Sequence, residues 1–406
     1  MGNGDTRDGD ARKIGVEAHG IRLPVIHKGD DLVQIVTDRL LEASRSAYAP
    51  FAIRDRDVVA VTESLVARAQ GNIVSMEEIS ADVEEKLPEG DAAVAFPILS
   101  RNRFFPLLRA LAQGIRGKVC LYLSCPADEV GNHLVDPMAY LARASELPRC
   151  FGLDELRSRF GAYRHPFTGV DYVELYRDIA PDRIEIRFTN DPLAILERTK
   201  NVIVANIHQR RIYADILRER GATVLTLDQI CTAPRSSGGG HNPEFGLLGS
   251  NYSKEGTVKL FPRDAPAFVR ELQQEISKRS GRQVECMVYG DGAFKDPACG
   301  IWELADPVVS PGYTDGLKGT PSEIKFKMIA DNAAGDAEEA VREAIRSKSV
   351  SDGREAGLDE AKSALGTTPR RYTDLLGSLC DLVSGSGDRG TPVVHISGYF
   401  DSYIDG

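Results

Sequence analysis

The sequence has no apolar run approaching the roughly twenty residues that a membrane-crossing helix requires, so no membrane partner is expected. Its seven cysteines (Cys120, Cys125, Cys150, Cys231, Cys286, Cys299, Cys380) are scattered, odd in number and free of CxxC spacing. That pattern disfavours a disulfide frame or a zinc knuckle and predicts reduced thiols in a cytoplasmic protein. Cationic residues are in the minority, 50 Lys and Arg against 60 Asp and Glu, for a net charge of −10. A nucleic-acid surface needs clustered cations to neutralise phosphates, so none is expected. No GxGxxG follows any predicted strand, which disfavours dinucleotide binding. No HxxxH or HExxH occurs, so His133, His165, His208 and His241 are not read as a zinc site. Residues 1–13 are Gly-, Asp- and Arg-rich without an apolar stretch, and read as a disordered tail rather than a signal peptide. No internal repeat is visible.

What is present is the pattern of an α/β protein. At 406 residues, 42% apolar and 27% charged, the chain has room for two or three domains, or for one core with large insertions. Residues 14–75 open with LPVIHKGDD at 23–31 and continue into a helix. Asp30 or Asp31 can cap that helix, and Leu32, Ile35, Val36 and Leu40 recur at helical spacing. A strand over 57–62 then runs into Glu63, Ser64 and Gly71. Residues 76–240 alternate strands (93–98, 119–124, 183–188, 202–205, 223–227) with helices (notably 105–113 and 213–220), the mark of parallel βαβ units. Ser236 to Gly240 reads as a flexible hinge. Residues 241–406 carry a helix at 265–279, a strand ending at Asp291, a strand at 324–330 and a charge-rich helical insertion near 331–365.

Two glycine-flanked segments carry the chemistry. Gly385, Ser386, Gly387, Asp388, Arg389 and Gly390 precede an apolar run that starts at Val393. Glycines there let backbone N–H groups approach an anion without a Cβ in the way. The run 288–292 (VYGDG) presents Asp291 at a strand end, the layout of a metal or phosphate ligand. Asp291 is the first metal candidate, and Asp296 is placed to share the ion. Lys295 and Arg389 are candidates to meet phosphate charge. In the middle segment Arg101, Asn102 and Arg103 precede a helix and suit a substrate carboxylate or phosphate. Asp128, Glu129, Asn132 and His133 gather two carboxylates, an amide and an imidazole in one short stretch. Gly366 to Arg371 sets two arginines beside hydroxyls, fit to clamp an anion or to cap a helix.

Three of these blocks, in this order, resemble the coenzyme F-420 gamma-glutamyl ligase family. Pro24, Val25, Ile26 and His27, ahead of Gly29-Asp30-Asp31-Leu32, are similar to its nucleotide-contacting N-terminal stretch. Glu63, Ser64 and Arg68 lie where the family carries GTP contacts, with Arg68 in place of a lysine. The segment from Gly385 to Pro392 is similar to its glycine-rich GTP loop. Ser250 and Asn251 end a block similar to GxDxSN, and Asp291-Gly292 aligns with a metal-binding Asp-Thr pair. In this chain the first family metal aspartate is replaced by Leu248, which cannot bind a hard cation, and the threonine by Gly292. A second metal is then absent, or rebuilt from Glu244, Asp296, Glu303 or Asp306. The similarity covers about half of the chain, and the middle segment looks like an insertion.

The resemblance implies an α/β, ligase-like core formed by both chain ends, with an inserted α/β subdomain. It implies Mg²⁺ or Mn²⁺ and GTP or ATP as co-substrate, with Arg68, Lys295 and Arg389 at the reacting phosphate. A small-molecule carboxylate and an amino acid are the implied substrates, and a homodimer the implied assembly. Two further readings stay open: a nucleotide-binding regulator of ligase-like fold without catalysis, and a metal-dependent phosphohydrolase.

Overall fold

The computed structural model describes residues 14–166, 168–290, 293–295, 302–304, 310–321, 326–349, 371–384 and 390–401. The chain opens with strand β1 (Glu17–Ile21), helix α1 (Leu32–Ser44), strand β2 (Val58–Thr62), helix α2 (Glu63–Ala69), strand β3 (Ile73–Ser75) and helix α3 (Met76–Lys86). Asp31 caps α1 by accepting from Gln34 N at 3.0 Å. Ser75 and Glu78 form a reciprocal capping box that starts α3 directly after β3.

The middle of the chain contributes β4 (Ala92–Ala95), α4 (Phe104–Gly114), β5 (Val119–Leu123), α5 (Pro137–Arg143), β6 (Phe151–Gly152), α6 (Leu153–Phe160), α7 (Tyr172–Arg177), β7 (Ile184–Phe188), β8 (Asn201–Val204), α8 (Arg210–Glu219) and β9 (Thr223–Thr226). Their strands form a six-stranded sheet in the order β6-β7-β5-β4-β8-β9. All neighbours are parallel except the short edge strand β6. Near-continuous apolar runs such as VCLYL and NVIV follow from burial on both faces. Leu107, Leu108 and Leu111 of α4 and Ile79 and Val83 of α3 cover one face. Ala214 and Leu217 of α8 cover the other.

The remaining elements are β10 (Asn251–Lys254), β11 (Thr257–Lys259), α9 (Ala265–Ser280), β12 (Glu285–Tyr289), β13 (Ala293–Lys295), β14 (Trp302–Leu304), β15 (Gly312–Tyr313), α10 (Phe326–Asn332), α11 (Ala337–Ser349), α12 (Tyr372–Ser384) and β16 (Val393–Ser397). A five-stranded sheet takes the order β1-β16-β2-β12-β15 and so joins both ends of the sequence. Val36 and Leu40 of α1 and Leu272 and Ile276 of α9 pack on one face of it. Leu376 and Cys380 of α12 pack on the other against Ala60, Met287 and Ile396. The architecture is α/β, with a β10-β11-β3 sheet and a β13-β14 ribbon beside the two larger sheets.

Two sequence-based expectations are corrected. Residues 324–330, expected as a strand, lie partly in α10; Phe326, Ile329 and Ala330 recur at helical rather than alternating spacing. Residues 236–240, expected as a flexible hinge, are pinned: Ser236 Oγ donates to Glu78 at 2.6 Å and Gly240 N to Ile73 O at 3.1 Å. A Cβ on Gly240 would meet that carbonyl at 2.4 Å, so the glycine serves close packing. The charge-rich stretch does contain a helix, α11.

Candidate active site

Register places the chemistry. β2 and β12 run parallel with Tyr289 opposite Thr62, so their carboxyl ends finish side by side. β16 runs antiparallel to β2 with Val393 opposite Val61, and Thr62 N donates to Pro392 O at 3.0 Å. Glu63, Gly290 and the segment entering β16 therefore meet at one edge of the sheet. Asp291 follows Gly290 directly in the chain, and Gly390, with φ 63, sits in the approach to β16. Asp291, Asp296, Gly385, Ser386, Gly387, Asp388, Arg389, Gly292, Asp306 and residues 366–370 lie outside the described residues. Lys295 belongs to β13 opposite Trp302, and Glu303 to β14 opposite Phe294.

The side chain that organises this edge was not singled out from sequence. Lys259, at the end of β11, donates to Ser64 Oγ at 2.6 Å and lies 3.3 Å from Glu63 Oε1. All three belong to the interior edge: Glu63 is 4% exposed, and the Lys259 side chain is 14% exposed. The geometry is held from behind. Gln70 Nε2 donates to Arg263 O at 2.6 Å, Arg263 N returns a bond to Gln70 Oε1 at 2.8 Å, and Asn72 Nδ2 donates to Phe261 O at 2.5 Å. The end of α2 is thereby fixed to the strand that carries Lys259. A usable signal lay in TVKLFP: a lysine enclosed by apolar strand residues must find a buried partner.

Arg68 donates through Nε to Ile26 O at 2.7 Å, and Gly29 N donates to Ala69 O at 2.8 Å. These bonds lay the 22–31 loop along α2. Ile26 is buried, while Pro24, Val25 and His27 are exposed on the loop's outer side. His27 N donates to Asp30 Oδ2 at 2.7 Å, closing the turn.

Ser250 and Asn251 enter β10, and Asn251 pairs with Lys259. Gly249 just before them has φ +67, and a Cβ there would lie 2.3 Å from the Phe261 ring. Leu248 is 1% exposed and belongs to the apolar core on α4. Glu244 is exposed.

The middle-segment candidates form a separate cluster at the six-stranded sheet. Asp128 accepts from Leu99 N at 2.7 Å, Val130 N at 3.0 Å, Asn132 N at 2.9 Å and Asn132 Nδ2 at 2.8 Å. Burial raises the pKa of its carboxyl, and these hydrogen bonds oppose the shift. Glu129 accepts from Ile207 N at 2.6 Å and His208 N at 3.0 Å. Both carboxylates thus order loops at the sheet's carboxyl edge. Arg101 and Asn102 are exposed before α4, Arg103 is its N-cap residue, and His133 is half-buried. Among the described residues no group of three or more His, Cys, Asp or Glu is placed to hold a metal ion.

A second buried pair lies inside the five-stranded sheet. His395 Nε2 is 2.8 Å from Asp57 Oδ2, with side chains 0% and 2% exposed. Phe51 stacks on both His395 and His19. Its signal was a histidine inside the apolar run VVHIS.

A 71-residue stretch is 32% identical to "Coenzyme F420:L-glutamate ligase" of Methanothermobacter thermautotrophicus, covering 18% of this chain and 24% of that protein. The chain therefore matches about a quarter of that relative's length. The family model described as F420-0:Gamma-glutamyl ligase matches residues 20–398, running through the middle segment as well as both ends. This chain belongs to the F420-0:gamma-glutamyl ligase family.

Proposed function

We propose that the protein is a nucleotide- and divalent-metal-dependent ligase that joins a carboxylated small molecule to an amino acid such as glutamate. A substrate carboxylate oxygen attacks the terminal phosphorus of GTP or ATP, the bond to the bridging oxygen breaks, and nucleoside diphosphate leaves. The amine of the acceptor then attacks the acyl carbon, inorganic phosphate leaves, and the nitrogen gives up a proton to complete the amide. Negative charge on the transferring oxygens is what such a site must stabilise.

The observation that carries this reading is the Lys259–Ser64–Glu63 cluster at the edge where β2, β12 and β16 converge. In this reading Lys259 faces phosphoryl charge, and Lys295 and Arg389 are further candidates to meet it. Arg68 orders the 22–31 loop against the nucleotide, which the segment 385–390 and Asn251 complete. Glu63 and Asp291 supply the hard oxygen donors that suit Mg²⁺ or Mn²⁺. Such an ion, when bound, neutralises charge on the phosphate oxygens. Asp296 is the further donor available, since Leu248 supplies none. Two copies of the chain form the assembly.

Diphosphate release measured against a panel of carboxylic acids with glutamate tests the reading. Release that requires both acid and amine supports ligation. Nucleotide hydrolysis indifferent to acid and amine would instead favour a phosphohydrolase, and binding without turnover a regulator.

A further inference from the structure

The parallel strands of the six-stranded sheet occur in chain order β4, β5, β7, β8, β9 but lie in space as β7-β5-β4-β8-β9. Winding therefore reverses between β4 and β8. The helix after β4 covers one face and the helix after β8 the other. In open sheets of this kind a crevice opens beyond the carboxyl ends of the two strands at the reversal, and ligands bind there.

In this chain that crevice holds a cavity of about 20 Å³, walled by Ile98, Leu107, Ala205, Ile207 and Leu248 and closed by Ser250. Its volume admits one oxygen-sized group. Ser250 is 3% exposed, and its hydroxyl finds no hydrogen-bond partner among the described residues. A buried unmet hydroxyl in an apolar wall is unfavourable unless something arrives to bond it. The first turn of the 11-residue α4 faces the same cavity through Arg103 and Phe104; the Arg103 side chain does not cap it, and Ser100 accepts from Arg103 N at 3.1 Å and from Phe105 N at 3.0 Å. Arg101, exposed beside it, makes no side-chain bond among the described residues. The nearby carboxylates are committed elsewhere, Asp128 and Glu129 each to backbone N–H groups.

We propose that this crevice is a second ligand site, separate from the Lys259 cluster, which binds a small oxyanion of carboxylate or phosphate type. One oxygen of the anion enters the cavity and accepts from Ser250 Oγ; its charge faces the α4 N-terminus and Arg101. The apolar wall strengthens these bonds by excluding water. Tyr252 N donates to Asn102 O at 2.8 Å, tying the turn before α4 to the strand that pairs with Lys259. An anion held here is thus mechanically connected to the ligase edge.

Calorimetry on the full chain, without nucleotide or metal, tests the site. L-glutamate and inorganic phosphate are titrated separately, and the arm that saturates identifies the class. The expected result is saturable binding in one arm, weakened about tenfold by Arg101→Ala and by Ser250→Ala. Lys259→Met leaves it unchanged, which separates this site from the ligase edge. Both removals delete atoms without adding volume and leave the backbone bonds in place. No saturation in either arm would overturn the proposal. So would equal affinity in all variants, or a crystal soaked in the probe that shows only an ordered water at Ser250.

Discussion

Lys259 Nζ lies 2.6 Å from Ser64 Oγ, although the two residues are 195 positions apart in the chain. The contact joins the β10–β11 ribbon to the start of α2 and sets a cation at the strand-end edge. If that cation serves phosphoryl charge, Lys259→Met lowers kcat/KM for nucleotide turnover about 100-fold or more. Lys259→Arg restores part of the loss, since the charge returns with a planar fork in place of a compact ammonium. Diphosphate release, read beside a circular dichroism spectrum that shows the variant folded, is the check. Undiminished turnover in the methionine variant would remove Lys259 from the chemistry.

The His395–Asp57 pair is structural, and its loss is felt in stability. Both groups are buried, so Asp57→Ala leaves an imidazole without its partner and costs about 3–5 kcal/mol. Asp57→Asn keeps an acceptor oxygen and costs less. Urea unfolding of the three proteins gives the ordering directly; equal midpoints would show the pair to be energetically idle.

Acid sensitivity follows from His19. Burial is the largest cause lowering its pKa below 6.5, reinforced by His395 and opposed by Glu17 and Asp57. The unfolded chain then binds the proton more tightly than the folded one. Stability from this group is complete above about pH 6.5 and is lost as the pH falls through the lowered folded value. Thermal melts between pH 7.5 and 5 will show a decline in the wild type that is shallower in His19→Phe, which keeps a ring against Phe51. Parallel pH profiles for the two proteins would contradict this.

Strands buried on both faces were legible in the sequence because continuous runs such as VVAVT and ECMVY have no other comfortable environment. The α1 cap was legible because Asp31 and the apolar positions are neighbours in sequence. Long-range pairing was not. Nothing local indicates that β16 lies beside β2, that Asp57 meets His395 338 positions away, or that Lys259 reaches α2. Ser236 to Gly240 misled because small residues serve both flexible linkers and tight packing, and only the Ile73 carbonyl distinguishes the two. Residues 324–330 misled through a short apolar run whose period was helical.

Leu248 offers a test of whether the Gly246 to Asn251 segment can take a metal ligand. Leu248→Asp puts a carboxylate at a site that is 1% exposed and packed among apolar side chains. The buried carboxylate has no partner there, so the variant is expected to lose several kcal/mol rather than gain a metal. Manganese titration followed by thermal melting decides it. A folded variant stabilised by the ion would show that position 248 faces a metal.

Asn72 ties its own turn to two other segments, donating to Phe261 O and accepting from His241 N at 2.9 Å and Arg263 Nη1 at 2.7 Å. Asn72→Ala removes the acceptor of His241 N and Arg263 Nη1, while Phe261 O keeps a bond from Asn242 Nδ2 at 3.2 Å, and is expected to cost about 1–3 kcal/mol. Because it loosens the support behind Lys259, nucleotide affinity falls with it. A variant of unchanged unfolding midpoint would contradict that role.

Calorimetric titration of GTP and of ATP, each with and without Mg²⁺ or Mn²⁺, tests the central claim most directly when run on wild type and Lys259→Met. The account predicts metal-dependent binding of at least one nucleotide, weakened tenfold or more by the substitution. Failure of both nucleotides to bind in the presence of metal, or binding indifferent to Lys259, would contradict it.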